Sequence, residues 1–314
     1  MAMQRFNVRE ESMIPTLVPG DEFVTTSTRI AERGNIVALP HPRRPDFWLV
    51  KRLTAVSGDT IVTDIGLYTL SDDEAWVLSD NLAAGAVDSR AFGPVDRNTL
   101  LPMITDLDED TFAQGVELLI REDKALADIV DRHGFPDFWQ RDPGFETLVL
   151  LILEQQVSLE SGAAVHKRLR ELAGPIIPGN VAAFAESDLR TIGLTRQKAG
   201  YVTGLARALV GGDIDLDKLE AMDFAEASSM LQEIRGIGRW TAEAYLLSAE
   251  RLPDVFPVTD RALQVGTGEV LSMKTVPTPD ELEILSRPWR PIRSVAARLI
   301  WHSYLSQRNR VEPF

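Results

Sequence analysis

The spacing of apolar residues is helical in the chain after about residue 105. Within residues 145–152 apolar side chains recur at positions i, i+3, i+4 and i+7, and residues 202–209 repeat that spacing. Such a stripe lies along one face of an α-helix and is buried when that face packs. Glycine, proline and Ser-Asp breaks separate the stripes into about eight to ten short helices. We therefore predict an all-α domain over residues 106–314.

Residues 1–105 show a different pattern. Short runs rich in β-branched and aromatic residues alternate with Gly, Pro and Asp, as strands alternate with tight turns. The clearest runs are Glu22–Thr26, Asn35–Leu39, Trp48–Leu53, Thr60–Asp64 and Ala75–Leu78. We predict a small all-β domain over residues 1–105, joined to the helical domain by the acidic segment LPMITDLDED.

The composition is that of an ordinary globular protein, and it excludes several kinds of functional site. Of the 314 residues, 44% are hydrophobic and 25% are charged. No apolar run reaches the length of about 18 residues that spans a membrane, so we expect a cytoplasmic protein without a membrane partner. Cysteine is absent, which excludes disulfides, thiolate zinc sites and cysteine-bound iron–sulfur clusters. We expect neither a metal nor another cofactor, because the histidines are scattered: they are His41, His133, His166 and His302.

The formal net charge of −14 disfavours a nucleic-acid partner by itself. Binding depends on the field at one face, however, and several basic residues lie near residues 235–239 or flank them in the sequence. If these side chains contact phosphates, binding should weaken steeply with salt. The alternative is that they are ordinary solvated charges. The basic residues concerned are Arg196, Lys198, Arg235, Arg239, Arg290, Arg293 and Arg298.

The segment Gly236-Ile237-Gly238 lies between two helical patterns and predicts a tight hairpin. Glycine permits backbone conformations and close approaches that a side chain prevents. The second helix should begin at about Arg239, so that its first N–H groups are free to bind an anion such as a DNA phosphate. Asp260 follows 22 residues after Gly238, beyond two prolines and just before another helical pattern.

The order of these parts resembles the helix-hairpin-helix DNA glycosylases. Arg239-Trp240-Thr241-Ala242 and Asp254-Val255-Phe256-Pro257 are similar to the 3-methyladenine DNA glycosylase II branch, and the resemblance spans about residues 110–307. It implies hydrolysis of the N-glycosidic bond of alkylated bases in double-stranded DNA, with Asp260 as the catalytic carboxylate. Bifunctional relatives carry a Schiff-base lysine at or beside position 240. This chain has Trp240-Thr241 there, so we expect no lyase activity.

The same resemblance implies roles for further side chains. Trp240 and Trp301 would hold the extruded base, although each could instead be plain core. Gln155, Gln156 and Ser158 would fill or edge the space that the base leaves, with helix capping by Ser158 as the alternative. The other DNA contacts implied are Gly193, Lys198, Gly236, Gly238 and Arg239.

A second resemblance covers about residues 8–103, to the signal-peptidase and repressor-cleavage serine peptidases. The compact peptidases that mature nickel superoxide dismutase are the most similar of these. The resemblance implies Ser12 as nucleophile and Lys51 as general base, with burial lowering the pKa of the lysine. Asp88, Ser89 and Arg90 would support the site. Three boxes occur in the family's order: they begin at Ser12-Met13-Ile14-Pro15, Val50-Lys51-Arg52 and Ser79-Asp80-Asn81.

These motifs leave three functions open. The first is an alkylated-base DNA glycosylase. The second is a Ser-Lys endopeptidase that processes a cytosolic protein, with the helical domain as a DNA-binding module; its alternative is an idle dyad in a fold kept for docking. The third is a module that recognises damaged duplex without catalysis. The glycosylase motifs are the more complete, so we rank that function first.

Overall fold

The computed structural model describes residues 3–64, 66–85 and 87–310. The chain divides into two compact units, residues 1–105 with 113–118 and residues 106–112 with 119–314. Residues 311–314, the last four of the predicted helical domain, lie outside the described residues. Within the described ranges, no helix is long and apolar enough to cross a membrane.

The first unit is built from short antiparallel strands. These are β1 Met3–Asn7, β2 Glu22–Thr26, β3 Ile36–His41, β4 Arg44–Ala55, β5 Thr60–Thr63, β6 Gly66–Thr69, β7 Glu74–Leu78, β8 Val95–Asp96 and β9 Leu101–Pro102. The strands β8-β7-β4-β3-β9 form one sheet in that order, while β1 pairs with β2 and β5 pairs with β6. The longest strand, β4, therefore lies at the centre of the largest sheet.

One face of this sheet carries the core of the first unit. Side chains alternate between the two faces of a strand. Leu49 and Leu53 of β4 are buried in a cluster with residues of β3 and β7. Lys51 lies between them on the same face of β4 and is only 2% exposed. The sheet geometry thus places a lysine among apolar neighbours.

All five predicted strands are present, with their ends shifted by up to four residues. Strands β1, β6, β8 and β9 were not predicted, and β8 and β9 have only two residues each. The sequence of β1, MQRFN, has three polar residues in five, and β6 begins at Gly66. The unit also contains a one-turn helix, α1 Ser89–Phe92, which is too short to show a period. The first unit is therefore a set of small antiparallel sheets with a short helix rather than strands alone.

Twelve further helices follow in the described residues, with no strand among those after Pro102. The prediction of an all-helical C-terminal region is confirmed. Their number exceeds the expected eight to ten because three of them have only five to seven residues. They are α2 Glu109–Glu122, α3 Lys124–His133, α4 Phe145–Glu154, α5 Leu159–Ala173, α6 Pro178–Ala182, α7 Glu186–Thr191, α8 Arg196–Gly211, α9 Phe224–Glu233, α10 Arg239–Ser248, α11 Arg261–Val270, α12 Pro279–Leu285 and α13 Arg293–Ser306.

Helix α4 lies in the core of the helical unit. Eight of its ten residues are buried, and it packs against α5, α8 and α10. A second core feature is the fully buried Arg298 of α13, whose guanidinium donates hydrogen bonds to the carbonyls of Trp139 and Leu247. The same guanidinium lies 4.3 Å from the centre of the Trp139 ring. Carbonyl oxygens and an aromatic face together stabilise this buried charge.

The predicted hairpin joins α9 to α10. Gly236 has φ +101°, a left-handed conformation that a side chain strains. A Cβ atom at Gly236 would also lie 2.3 Å from Cγ of Tyr201. Gly238 differs, because its backbone is extended and a Cβ there would meet nothing within 4 Å. No side chain caps the start of α10 at Gly238, so the first N–H groups of that helix are free to bind another group.

The two glycines should respond differently to alanine. We expect Gly236→Ala to lower the free energy of unfolding by about 2–4 kcal/mol, because it adds left-handed strain to a clash with the Tyr201 ring. We expect Gly238→Ala to cost no more than about 1 kcal/mol, the usual loss when glycine is replaced at a helix start. Denaturant unfolding of the two variants measures both, and equal losses would contradict this account of the hairpin.

Candidate functional site

The carboxylate of Asp260 is held from three directions. Asp260 is the N-cap residue of α11, and its Oδ1 accepts a hydrogen bond of 2.7 Å from the N–H of Leu263. The indole N–H of Trp240 donates to Oδ2 at 2.9 Å, and that of Trp301 donates to Oδ1 at 3.0 Å. A helix N-terminus and N–H donors both favour a negative charge. The arrangement fixes a carboxylate with both oxygens oriented.

Asp260 lies in the wall of a cavity of about 810 Å³. Trp240, the hairpin from Gly236 to Gly238, and the pair Gln155-Gln156 line the same cavity. The structure therefore brings together most of the predicted glycosylase residues, which are up to 105 positions apart in the chain. Trp301 contacts the carboxylate but is not part of the cavity wall; its ring packs against Trp139 at 5.9 Å between centroids.

The segment between α4 and α5 presents its residues in different directions. Gln155 turns inward, and its amide N–H₂ donates to the carbonyl of Gly236 and to Oγ1 of Thr241, both at 2.9 Å. Gln156 is exposed and has φ +58°, a left-handed conformation uncommon outside glycine. Ser158 caps α5 by accepting a hydrogen bond from the N–H of Ser161. The contacts of Ser158 are thus those of the alternative interpretation, in which this residue caps a helix.

Gly193 and Lys198 have partners within the helical unit. Gly193 has φ +101°, and a Cβ atom there would lie 2.9 Å from Nη2 of Arg168. The ammonium of Lys198 donates to the carbonyls of Leu153 and Gln155 at 2.7 and 2.8 Å. Burial lowers the pKa of Lys198. Two of the three N–H donors of its ammonium are thereby directed at the end of α4, and the predicted phosphate contact stays a prediction.

Several basic residues near the hairpin also form internal ion pairs. Arg239 is bonded to Glu243 at 2.7 Å and to Glu283 at 3.1 Å. Arg293 is buried and forms a bidentate pair with Asp254, and Arg298 is fully buried. For Arg293 and Arg298 the interpretation as phosphate contacts is therefore wrong, since a buried guanidinium cannot reach a phosphate. Exposed arginines line the cavity at Arg235 and Arg261.

A buried ion pair that no sequence pattern indicated lies beside the cavity. Arg141 and Glu154 form a bidentate pair at 3.1 Å, with side chains 7% and 6% exposed. Burial raises the pKa of Glu154, and the charge of Arg141 opposes that effect. The two residues are 13 positions apart and not on one helix, so no periodicity could relate them. The roles of Thr241 and Tyr201 were missed for the same reason.

The first unit brings Ser12 and Lys51 into contact. Nζ of Lys51 and Oγ of Ser12 are hydrogen-bonded at 3.0 Å. Burial lowers the pKa of Lys51, although the charges of Asp88, Glu10 and Asp80 oppose it. The backbone N–H of Asn81 donates to the carbonyl of Ser12 and fixes the serine segment. A neutral lysine beside a hydroxyl can act as a general base.

Of the three predicted supporting residues, Asp88 acts electrostatically on Lys51, and Ser89 and Arg90 follow it in α1. Asp88 accepts hydrogen bonds from the backbone N–H of Ser79 at 3.0 Å and from Nε of Arg90 at 2.9 Å. Burial works to raise the pKa of Asp88, but the hydrogen bonds from Arg90 and from the Ser79 and Arg90 backbone lower it to about 2. Oγ of Ser89 accepts from the N–H of Val77 at 3.0 Å. Asp88 is therefore a fixed anion near Lys51.

Across the described residues, no group of three or more His, Cys, Asp or Glu side chains is placed to hold a metal ion.

Two family models match parts of the chain. One, described as HhH-GPD superfamily base excision DNA repair protein, matches residues 149–291 and so includes the hairpin and Asp260. The other, described as signal peptidase, peptidase S26, matches residues 1–70. That match includes Ser12 and Lys51 but ends before Asp88. The peptidase resemblance is therefore supported only for the first part of the unit.

Known proteins resemble the helical region. A DNA-3-methyladenine glycosylase of Bacillus subtilis is 32% identical over 180 residues, which cover 54% of this chain and 57% of that protein. The DNA-3-methyladenine glycosylase 2 of Escherichia coli is 28% identical over 170 residues, covering 51% and 57%. The chain spans about half the length of the curated relatives that it matches.

Solved structures share the helical fold. A 3-methyladenine DNA glycosylase of Schizosaccharomyces pombe, in complex with abasic DNA, has a TM-score of 0.56 at 22% identity and covers 60% of this chain and 95% of its own. A DNA-3-methyladenine glycosidase of Bacillus halodurans has a TM-score of 0.54 at 25% identity, covering 62% and 91%. The family model, these relatives and these solved structures all match the helical unit, whose fold is similar to that of the helix-hairpin-helix DNA glycosylases.

Proposed function

We propose that the helical unit hydrolyses the N-glycosidic bond of alkylated bases in double-stranded DNA and so begins base excision repair. The observation that carries this proposal is the carboxylate of Asp260, fixed by two indoles and a helix start at the wall of an open cavity. A nucleotide extruded from a duplex needs such an opening. The similarity to 3-methyladenine DNA glycosylases supports alkylated bases as the substrates.

Asp260 would act on the sugar. Cleavage of the glycosidic bond develops positive charge on the deoxyribose, and a nearby carboxylate stabilises it. At about 4 Å and an effective dielectric constant of about 20, this interaction is worth on the order of 4 kcal/mol. Realised only in the transition state, it would speed the reaction by about three powers of ten. An alkylated purine already carries positive charge, so its departure needs no strong general acid.

The hydrogen bonds at Asp260 also suggest where the attacking water binds. Oδ1 accepts from both Leu263 and Trp301, whereas Oδ2 accepts from Trp240 among the contacts described. A carboxylate oxygen accepts about two hydrogen bonds. Oδ2 therefore has capacity left to orient a water molecule. We assign the water to Oδ2.

Trp240 and Trp301 would hold the base, with Trp240 at the cavity and Trp301 completing the pocket once the nucleotide enters. A cationic base over an indole gains about 1–2 kcal/mol. No lysine lines the cavity among the described residues. Without an amine to form a Schiff base, the product would be an abasic site in an unbroken strand, which supports a monofunctional enzyme.

DNA would be anchored at the hairpin. The uncapped start of α10, with Gly236 and Gly238 before it, presents backbone N–H groups to a phosphate. Arg239 would contribute only if a phosphate competes with its two carboxylate partners. The exposed Arg235 and Arg261 have the better access.

Replacing the carboxylate tests this proposal. We expect Asp260→Asn to slow single-turnover release of methylated bases from duplex DNA by about a thousandfold, because the amide lacks the charge that stabilises the sugar cation. Asparagine also caps helices well, so the fold should survive. The released bases are measured by mass spectrometry.

The matched control is Asp280→Asn, which changes an exposed carboxylate in the first turn of α12. Its rate of base release should equal that of the wild type. Unchanged release by Asp260→Asn would remove Asp260 from the mechanism, and absence of release by the wild type would reject the proposed reaction.

A second function is favoured by the contact between Ser12 and Lys51. We propose that the first unit can act as a Ser-Lys endopeptidase on a protein substrate. The hydroxyl of Ser12 would attack a peptide carbonyl and pass its proton to the neutral amine of Lys51. As the peptide C–N bond breaks, Lys51 would give that proton to the departing amine, and water would then hydrolyse the acyl-serine ester. Asp88, Ser89 and Arg90 would hold the surrounding strands in place.

Acylation of the serine tests this second function. We expect a small activated ester to acylate Ser12, seen as a mass gain of the intact chain, and Ser12→Ala to abolish it. The rate should rise with pH through the lowered pKa of Lys51 and then level, because only the neutral amine accepts the proton.

Ser71→Ala, at an exposed turn position, is the control and should acylate normally. A rate that keeps rising to about pH 10.4, the ordinary lysine value, would mean that Lys51 is not the base.

A further inference from the structure

Lys198 fixes the end of α4 to α8. Its ammonium donates to the carbonyls of Leu153 and Gln155, at 2.7 and 2.8 Å. The last carbonyls of a helix lack partners within the helix, and a cation there is favourable. Lys198 lies in the first turn of α8, so one side chain joins two helices at the point where the chain leaves α4.

Gln155 fixes the same point to the hairpin. Its two side-chain hydrogen bonds go to the carbonyl of Gly236 in the hairpin and to Oγ1 of Thr241 just after it. Gly236 belongs to the turn itself, and Thr241 belongs to the first turn of α10. The backbone of Gln155 is thus held by Lys198, while its side chain holds the hairpin.

The next two residues face the other way. Gln156 is exposed, and Val157 is 47% exposed. Both line the cavity with Asp260. The left-handed backbone of Gln156 directs the chain outward directly after the anchored Gln155. The exposed pair Gln156-Val157 and the hairpin therefore have a fixed separation.

We propose that Gln155 and Lys198 are positioning residues: they hold the pair Gln156-Val157 at a set distance from the hairpin, so that a duplex anchored at the hairpin meets that pair at the extruded nucleotide. Neither residue contacts DNA through its own amide or ammonium. The inference rests on the proposed glycosylase function. It replaces, for these two residues, the direct DNA contacts that the sequence predicted.

Geometry favours this role over direct contact. Two of the three N–H donors of Lys198 are directed at carbonyls, and both N–H donors of Gln155 are directed at the hairpin. An orphaned base would have to replace the bonds of Gln155, and a phosphate would find only the third N–H of Lys198. Misplacement by about 1 Å can cost a hundredfold in rate, so a loop that sets a distance matters even without touching the ligand.

The test is binding of two duplexes by the full chain, one undamaged and one with a tetrahydrofuran abasic-site analogue, over a range of salt concentrations. We expect Lys198→Met and Gln155→Leu to reduce the preference for the abasic duplex by about tenfold or more. Affinity for undamaged duplex should change little. The slope of log K against log salt should stay the same, because no phosphate contact is lost.

Two further variants give reference values for the salt slope and for the abasic preference. Arg235→Met removes an exposed cation and should lower the salt slope by about 0.9. Thr241→Val is isosteric and removes one of the two acceptors of Gln155, so it should reduce the abasic preference less than Gln155→Leu. The double variant should equal Gln155→Leu alone, because both changes remove the same link. Unchanged binding of undamaged duplex shows that each variant is folded.

A salt slope lowered by about 0.9 in Lys198→Met, with equal loss on both duplexes, would overturn the inference and make Lys198 a phosphate contact. Unaltered abasic preference in both variants would overturn it too. These outcomes differ from failure of the proposed function, in which the wild type releases no alkylated base. A wild type that prefers the abasic duplex without releasing a base would reject the hydrolysis and leave the positioning role measurable.

Discussion

The helical unit depends on one carboxylate that three N–H groups hold in place. Two of these groups are indoles from α10 and α13, and the third is the backbone at the start of α11. An aspartate at a helix start is common, and one of its oxygens then usually accepts a backbone N–H. Here the cap leaves both oxygens oriented, and the charge lies at a cavity wall. The position of Asp260 therefore depends on the packing of three helices.

Linear motifs predicted the parts of the site that are local in sequence. The hairpin, the helix that starts at Arg239 and the aspartate before α11 all follow from glycine spacing and capping preferences, and each lies where the sequence indicated. The direction of a side chain does not follow from such rules. Gln155 and Gln156 are adjacent and identical, yet one turns to the hairpin and the other to solvent. That difference comes from a partner 81 residues away.

Charge is the property that sequence predicted least well. Seven basic residues near the hairpin suggested a face for DNA, but the fold buries Arg293 and Arg298 and pairs Arg239 with two carboxylates. A long cationic side chain can pair with polar groups inside a protein as well as extend into solvent. The first unit gives the converse result, since strand alternation alone places Lys51 on the buried face of its sheet, where it meets Ser12.

Different features of the structure constrain the two glycines of the hairpin. Gly236 is required by its own backbone and by the ring of Tyr201. Gly238 has ordinary extended backbone and open space where a side chain would stand. Within the described fold, only the mild preference for glycine at a helix start favours it at position 238. Homologues that no longer use this surface should therefore retain the glycine at position 236 and vary at position 238. A comparison of homologues at these two positions would then distinguish those that still use the surface from those that do not.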